Sequence, residues 1–174
     1  FLNAADQVDL DSVSGIVENN TFSGSADYKD KIFDIELDTN GDGLDLSDSL
    51  INIKYNMFEG FADKGISIGE NTKALILNNI FKKNRSAITA KDESKVFVSQ
   101  NDYSENEIQL EMYQKKLFFK HPSVYNINEK HANNKIRKTI DSNYYKQNII
   151  DLSNISPDEI NFEFAESLEW ILYE

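Results

Sequence analysis

The chain has 174 residues, no cysteine, 40% hydrophobic and 11% aromatic residues, and a formal charge of −12. That length buries a core without staples, and the missing cysteines exclude a disulfide framework, thiolate metal sites, iron–sulfur clusters and a cysteine nucleophile. The apolar fraction is too high for a disordered chain, and no stretch approaches the roughly 18 consecutive apolar residues of a membrane span.

Charge is unevenly spread. Residues 1 to 70 hold fifteen acids and four lysines, a net of −11, whereas the remainder holds fifteen acids and fourteen bases, a net of −1. Such a field repels phosphate backbones and anionic head groups, so the expected partners exclude nucleic acid and membrane insertion; cations and neutral glycans suit it better. The chain opens at Phe1 rather than methionine, and the expectation is a removed leader or tethering to other domains upstream.

In chain order, the first recurring unit is Val8, Leu10, Val17, Asn20 and Phe22, which returns 36 residues later as Leu44, Leu46, Ile53, Asn56 and Phe58. Thirty-six is one period of 22 plus a 14-residue insertion, which places an outward loop at about 23–40. The string Gly43-Leu44-Asp45-Leu46 then returns as Gly65-Ile66-Ser67-Ile68 and as Ala87-Ile88-Thr89-Ala90. A second alternating pair follows each of these, Ile51 with Ile53, Ala74 with Ile76 and Val96 with Val98. Asn-x-Phe or Asn-x-Tyr closes each unit at Asn56, Asn79 and Asn101, spaced 23 and 22 apart. Period-2 alternation is the mark of a half-buried strand, so every unit carries two short strands. Ile108 and Leu110 follow Ile88 and Ala90 by 20, and the asparagine position falls near Lys120 and His121, where the repeat decays. The count is five coils, the last imperfect.

Residues 120–147 are polar and read as a degenerate coil or a loop packed on the side. Ser156-Pro157-Asp158-Glu159 reads as a capping box, with Ile160, Phe164, Leu168 and Ile171 at helical spacing behind it. A helix there would cover the open end of the stack; the alternation Ile160, Phe162, Phe164 leaves a strand as the alternative.

A period near 22, short strands, asparagine at a turn and no helical return argue an all-β, right-handed parallel β-helix whose coils stack ~4.8 Å apart. One domain is expected, with the β-helix over 1–119 and the degenerate coil and C-terminal cap over 120–174. The strings Gly41-Asp42-Gly43-Leu44-Asp45-Leu46-Ser47, Asp63-Lys64-Gly65-Ile66-Ser67-Ile68-Gly69-Glu70, Lys91-Asp92 and Tyr113-Gln114-Lys115-Lys116 carry a family likeness. From about Val8 to Lys116 the chain resembles right-handed β-helix repeat proteins of pectate-lyase-like fold. Those strings resemble ones found in β-helix regions of large secreted bacterial proteins, some with spore-coat-kinase-like or adhesion modules. The resemblance implies a secreted or cell-surface setting in bacteria. Its guidance on activity is weak, since the same coil serves lyases, hydrolases, epimerases, adhesins and inert stalks.

With Leu44 and Leu46 pointing inward, their neighbours point out and form two columns. The first is Asp9, Asp45, Ser67, Thr89, Gln109; the second is Asp11, Ser47, Gly69, Lys91, Glu111. In the enzymes this chain resembles, such a face binds the glycan, carboxylates hold calcium and a lysine or arginine abstracts a proton beside a uronate. Asp9, Asp11, Asp45 and Lys91 are therefore the candidate catalytic residues, for a polysaccharide lyase or, through a carboxylate pair, a glycoside hydrolase. Neither arginine, Arg85 or Arg137, falls in these columns. Lys64 and Lys91 are also placed to pair with acids of neighbouring coils, which makes a salt-bridge array the alternative. Ser12, Asp48, Glu70 and Asp92 form the column where the first strand turns.

Asp38-Thr39-Asn40-Gly41-Asp42-Gly43 copies the opening of a calcium loop, but Ser49 stands at the twelfth position and a strand follows. Asp38, Asn40 and Asp42 are the candidate calcium ligands, against an Asx/Gly turn that closes the insertion. Asn20, Asn56, Asn79 and Asn101 are expected to form an amide ladder, with Phe22, Phe58, Phe81 and Tyr103 stacked beside it. His121 and His131 have no partnering motif, and Gly41-Asp42-Gly43 precedes a strand rather than the helix of a phosphate loop. Tyr28, Phe61 and Tyr113 are candidates to stack on sugar rings. The expected function is binding, and on the lyase or hydrolase reading cleaving, a polysaccharide or oligosaccharide on the exposed strand face. The alternative is a non-catalytic structural or adhesive solenoid, calcium-stabilised, within a larger surface protein.

Overall fold

A computed structural model describes residues 6–24, 41–127, 135–139 and 141–147. Alternating apolar residues form three parallel sheets, with strands numbered in chain order. The first sheet stacks β1 (Asp6–Asp11), β4 (Asp42–Ser47), β7 (Lys64–Gly69), β10 (Ser86–Lys91), β13 (Ile108–Tyr113) and β15 (Ile136–Lys138). The second stacks β2 (Ser14–Glu18), β5 (Leu50–Lys54), β8 (Lys73–Leu77), β11 (Lys95–Ser99), β14 (Ser123–Ile127) and β16 (Asn143–Gln147). The third holds β3 (Thr21–Ser23), β6 (Met57–Glu59), β9 (Ile80–Lys82) and β12 (Asp102–Ser104). Each of the first four turns visits the sheets in order, and residues 22, 23 or 36 apart sit side by side there, as in Ile66 with Ile88, Ile51 with Ala74, and Val8 with Leu44.

The first four rungs thus carry three strands, not two: the Asn-x-Phe segment is itself a strand of three residues. The expected register of the fifth rung is also corrected. Leu110 pairs with Ile88 and Met112 with Ala90, so the 22-residue period continues and the spacing of 20 was a slip of two. A slip of two keeps every side chain on its own face, so alternation alone could not expose it. Strands β15 and β16 add a sixth rung beyond the five of the sequence reading. The expected terminal helix lies outside the described residues, as does most of the 23–40 loop.

The interior is filled by aligned aliphatics, Leu44, Ile66, Ile88 and Leu110 from the first sheet and Ile53, Ile76, Val98 from the second, all fully buried. Phe22, Phe58, Phe81 and Tyr103 stack with ring centroids 4.6, 5.2 and 5.4 Å apart. Gly43 is needed at its corner because a Cβ there would stand 2.9 Å from the Phe61 ring and 2.6 Å from Gly65 O. Outward positions of the second sheet break the alternation, since Leu75, Phe97 and Tyr125 are buried and the last two rings stack at 4.7 Å.

The corners are built from repeated side-chain bonds. Asn79 Oδ1 accepts from Asn56 N at 2.9 Å, Asn56 Oδ1 from Asn20 N at 3.0 Å, and Asn101 Oδ1 from Asn79 N at 2.8 Å. This is the expected amide ladder. A second one was missed: Asn84 Oδ1 accepts from Phe61 N at 3.1 Å, and Asn106 Oδ1 from Asn84 N at 2.9 Å. The 22-residue spacing of Asn84 and Asn106 was the available signal. The corners turn the chain through positive φ: at Ser12, Asp48, Glu70 with Asn71, and Asp92 with Glu93 at the first, at Asn19, Tyr55, Asn78 and Gln100 at the second, and at Gly60, Lys83 and Glu105 at the third.

Candidate functional site on the first sheet

Registers β1 to β4, β4 to β7, β7 to β10, β10 to β13 and β13 to β15 align Asp9, Asp45, Ser67, Thr89, Glu111 and Arg137 in one outward column. Glu111, not Gln109, therefore occupies the fifth position. The neighbouring column holds Asp11, Ser47 and Gly69, continued by Lys91 and Tyr113. The parallel pairing thus brings the four candidate residues Asp9, Asp11, Asp45 and Lys91 to one face. Asp9 and Asp11 are exposed at its acidic end, Asp45 is half-buried and Lys91 is buried.

Lys91 lies over Gly69, where a Cβ would stand 3.5 Å from Lys91 Cε, and its Nζ comes to 3.9 Å from Asp45 Oδ1. Burial holds the Lys91 amine below the ordinary lysine range, with Asp45 opposing the shift and Lys64 and Lys115 adding to it. Asp9 is raised, first by what burial it has and then by Asp11, Asp45 and Asp6 around it. The Tyr113 hydroxyl is raised by burial as well. Ser67 Oγ is fully buried in the middle of the column and has no hydrogen-bond partner, while Thr89 Oγ1 lies 2.9 Å from Ser86 Oγ.

One edge of this face is an ion-pair network. Lys64 Nζ sits 3.3 Å from Asp42 Oδ1 and also bonds Asp63, whose other oxygen accepts from Arg85 at 2.9 Å. Burial, against the attraction of Lys64, pushes Asp42 up to about 6. Burial works against the charge of Lys64 too, but Asp42 and Asp63 together outweigh it and hold the amine above its ordinary range. Glu70 pairs with Lys116, and Glu111 with Arg137 at 3.3 Å. Arg137 therefore stands in the first column, contrary to expectation, while Arg85 lies outside both columns as expected and reaches the edge of the face through Asp63. Neither sits in the repeating string that defined the columns, so periodicity carried no cue to them.

Asp42 spends one oxygen on the Lys64 side chain and, at 3.1 Å, on the Lys64 backbone N–H. Asp38 and Asn40, the other candidate calcium ligands, lie outside the described residues. Among the described residues no three histidine, aspartate or glutamate side chains are grouped to hold a metal ion. Of the candidate sugar-stacking aromatics, Phe61 is buried in the core, Tyr113 is half-buried on the face, and Tyr28 lies outside the described residues. His121 faces Asp141 at 3.6 Å; His131 is outside the described residues.

No curated protein and no solved structure matches this chain. The family described as right-handed beta helix region matches residues 3–126, a span that takes in β1 to β13, nearly all of β14 and the whole Asp9 to Glu111 column. The chain therefore belongs to the right-handed β-helix family.

Proposed function

We propose that this β-helix binds an extended polysaccharide across the outward face of its first sheet. The observation that carries the reading is the aligned register of Asp9, Asp45 and Ser67 with Asp11 and Gly69, and of Lys91 with Tyr113. A polymer lying across the strands, which stack ~4.8 Å apart, would meet exposed Asp9 and Asp11 and the half-buried Asp45 and Tyr113, whereas Ser67, Thr89, Lys91 and Glu111 are buried in the face between them. Asp9, Lys91 and Tyr113 on this face all have displaced protonation, as expected of groups that work at a site. On this reading Asp9, Asp11 and Asp45 bind hydroxyls or a cationic sugar, and Tyr113 stacks on a ring. Lys91, easier to deprotonate than an ordinary lysine, is the group that would accept a proton in a cleaving enzyme. The setting this calls for is extracellular, where such polymers are met. Isothermal titration against neutral, acidic and cationic oligosaccharides tests it. Binding lost in Asp45→Ala and Lys91→Ala supports the reading, and the absence of binding to all three classes ends it. Product analysis of the bound glycan then separates binding from cleavage.

A second reading, a non-catalytic structural or adhesive solenoid, is favoured by the network Asp42–Lys64–Asp63–Arg85 and by the pairs Glu70–Lys116 and Glu111–Arg137. These groups are engaged with one another across rungs. The same titrations decide: no glycan binding, with a large stability loss in Lys64→Met, favours this reading.

A further inference from the structure

Strand alternation turns Ala74, Ile76, Val96, Val98 and Val124 into the solenoid, where they join its apolar interior. Leu75, Leu77, Phe97 and Tyr125 point the other way, out of the second sheet, and stand outside that interior cluster. They are buried all the same, at 1%, 2%, 1% and 3% exposure. Neighbours within a sheet do not achieve this. Ile80, outward on the third rung of the third sheet, keeps 46% of its surface in water, and Ile16, at the first rung of the Leu75 row itself, keeps 57%. Asn52 Oδ1, between Ile16 and Leu75 in that row, is cut off from water and has no hydrogen-bond partner. Burial of this row from the second rung to the fifth requires a layer lying over the outer face.

The burial is achieved within one chain, so the layer is part of it. Each of the sixteen described strands belongs to one of the three walls, and none is left over to form it. The long corner 114–122 is bound at the rim to Glu70, Asp92 and Glu93, and its tip residues Leu117 and Phe118 are exposed. Of the remaining residues, 1–5 lead into the first sheet and 25–40 join the third sheet to the first, both away from this face. Residues 128–134 are spent carrying the chain from β14 round to β15. Residues 148–174 follow directly on β16, which belongs to the second sheet itself.

Their sequence suits the place. Ile160, Phe164, Leu168 and Ile171 recur at helical spacing, and as a helix the stretch from Pro157 to Tyr173 would be about 25 Å long, against ~24 Å from the first rung to the sixth. The segment carries seven acids and no base. The face is rimmed by Lys73 and Lys95, in register on one side, and by Lys54 on the other, which also stands 3.5 Å from Glu18. We infer that residues 148–174 fold back along the outer face of the second sheet and lay their apolar stripe on Leu75, Phe97 and Tyr125. The sequence reading put this segment over the open end of the stack; the buried row moves it to a side wall. Seated there, it clamps the rungs together and shuts an apolar surface that would otherwise draw other molecules.

The chain has no cysteine, and Trp170 is its only tryptophan. A nitroxide on one introduced cysteine therefore reports its distance from the single indole N–H resonance of the segment. Labels are placed on the full chain at Lys73→Cys or Lys95→Cys on the second sheet, at Lys82→Cys on the third, and at Lys138→Cys on the sixth rung. Paramagnetic broadening of the Trp170 signal is expected to be strongest from a second-sheet label. Broadening strongest from Lys82→Cys or Lys138→Cys would put the segment on the third sheet or over the open end, and equal or absent broadening from all four would leave it in water; each overturns the inference. Phe97→Asp, in the middle of the buried row, should abolish most of the second-sheet broadening, while Ile16→Asp, on the exposed first rung, should leave it unchanged. Circular dichroism checks folding, and Leu168→Asp, which disrupts the same contact from the segment's side, serves where Phe97→Asp does not fold. Broadening that survives in the folded variant rules out this row as the seat.

Discussion

Lys91 crosses the bare backbone of Gly69 to bring its Nζ within 3.9 Å of Asp45 Oδ1, two rungs away. Burial holds this lysine below its ordinary pKa of 10.5. The folded state therefore holds the proton more weakly than the unfolded state, and the contribution of Lys91 to stability grows as pH rises from its folded pKa toward 10.5. Lys91→Met, which keeps the apolar stem, should be at least as stable as the wild type at neutral pH. Its advantage should shrink as pH rises into the lysine range. Urea unfolding of both proteins across that range checks this, and a pH-independent difference contradicts it.

Asp42 gives the mirror case. Its folded pKa is raised from 3.8 to about 6, so its stabilisation is fully present below about 3.8 and is lost as pH rises through about 6. At 1.36 kcal/mol per unit, the swing is about 3 kcal/mol. Relative to Asp42→Asn, the wild type should lose stability by an amount of that order between pH 4 and 6. Denaturant midpoints measured at both ends of that window suffice, and a wild type that gains over the variant refutes the assignment.

Asn79 accepts from Asn56 N and Nδ2 at 2.9 and 3.1 Å, and donates to Ile53 O, Leu77 O and Asn101 Oδ1 at 2.9, 3.0 and 3.0 Å. Asn79→Ala leaves several of these buried groups unmatched, at roughly 1–3 kcal/mol for each orphan, so a loss of ~3 kcal/mol or more is expected. Asn20, exposed on the first rung, should lose only ~1 kcal/mol on the same change. Equal losses at the two sites, read from thermal and urea unfolding, would speak against a cooperative ladder.

Gln100 turns the second corner at φ 57° and is exposed. A side chain in that region is strained by about 1–2 kcal/mol, which glycine escapes, although glycine loses more backbone entropy on folding. Gln100→Gly should be neutral or up to ~1 kcal/mol stabilising, whereas the β-branched Gln100→Val should lose ~1 kcal/mol or more. Melting temperatures that rank Val above Gly would refute this.

Positions whose neighbours above and below share one chemistry were readable from sequence. Asn20, Asn56, Asn79 and Asn101, the aromatic stack from Phe22 to Tyr103, and the inward aliphatics announce themselves by recurring at one spacing. Two kinds of feature were not readable. The fifth rung slipped by two because alternation is blind to an even shift, and that displaced Glu111 and Tyr113 from their true places beside Thr89 and Lys91. Lys64 and Lys91 pair with acids of other rungs as expected, but the arginine partners on the site's face escaped. Arg85 reaches Asp63, and Arg137 reaches Glu111, through long side chains whose targets depend on which neighbour is bare, as Gly69 is for Lys91.

The sixteen residues between Gly24 and Gly41 leave the pairings of β1 with β4 and β3 with β6 intact on either side of them. Each rung thus behaves as an interchangeable tile, held by contacts that its replacement would reproduce. Excising residues 65–86 joins Lys64 to Ala87, a splice in which every position inherits its in-register counterpart, since Ser86 already stands where Lys64 does and Ile88 where Ile66 does. The shortened chain should still fold cooperatively, with a smaller denaturant dependence in proportion to the lost surface. Length in such a protein is therefore an adjustable quantity, changed in steps of one tile without redesign of its neighbours.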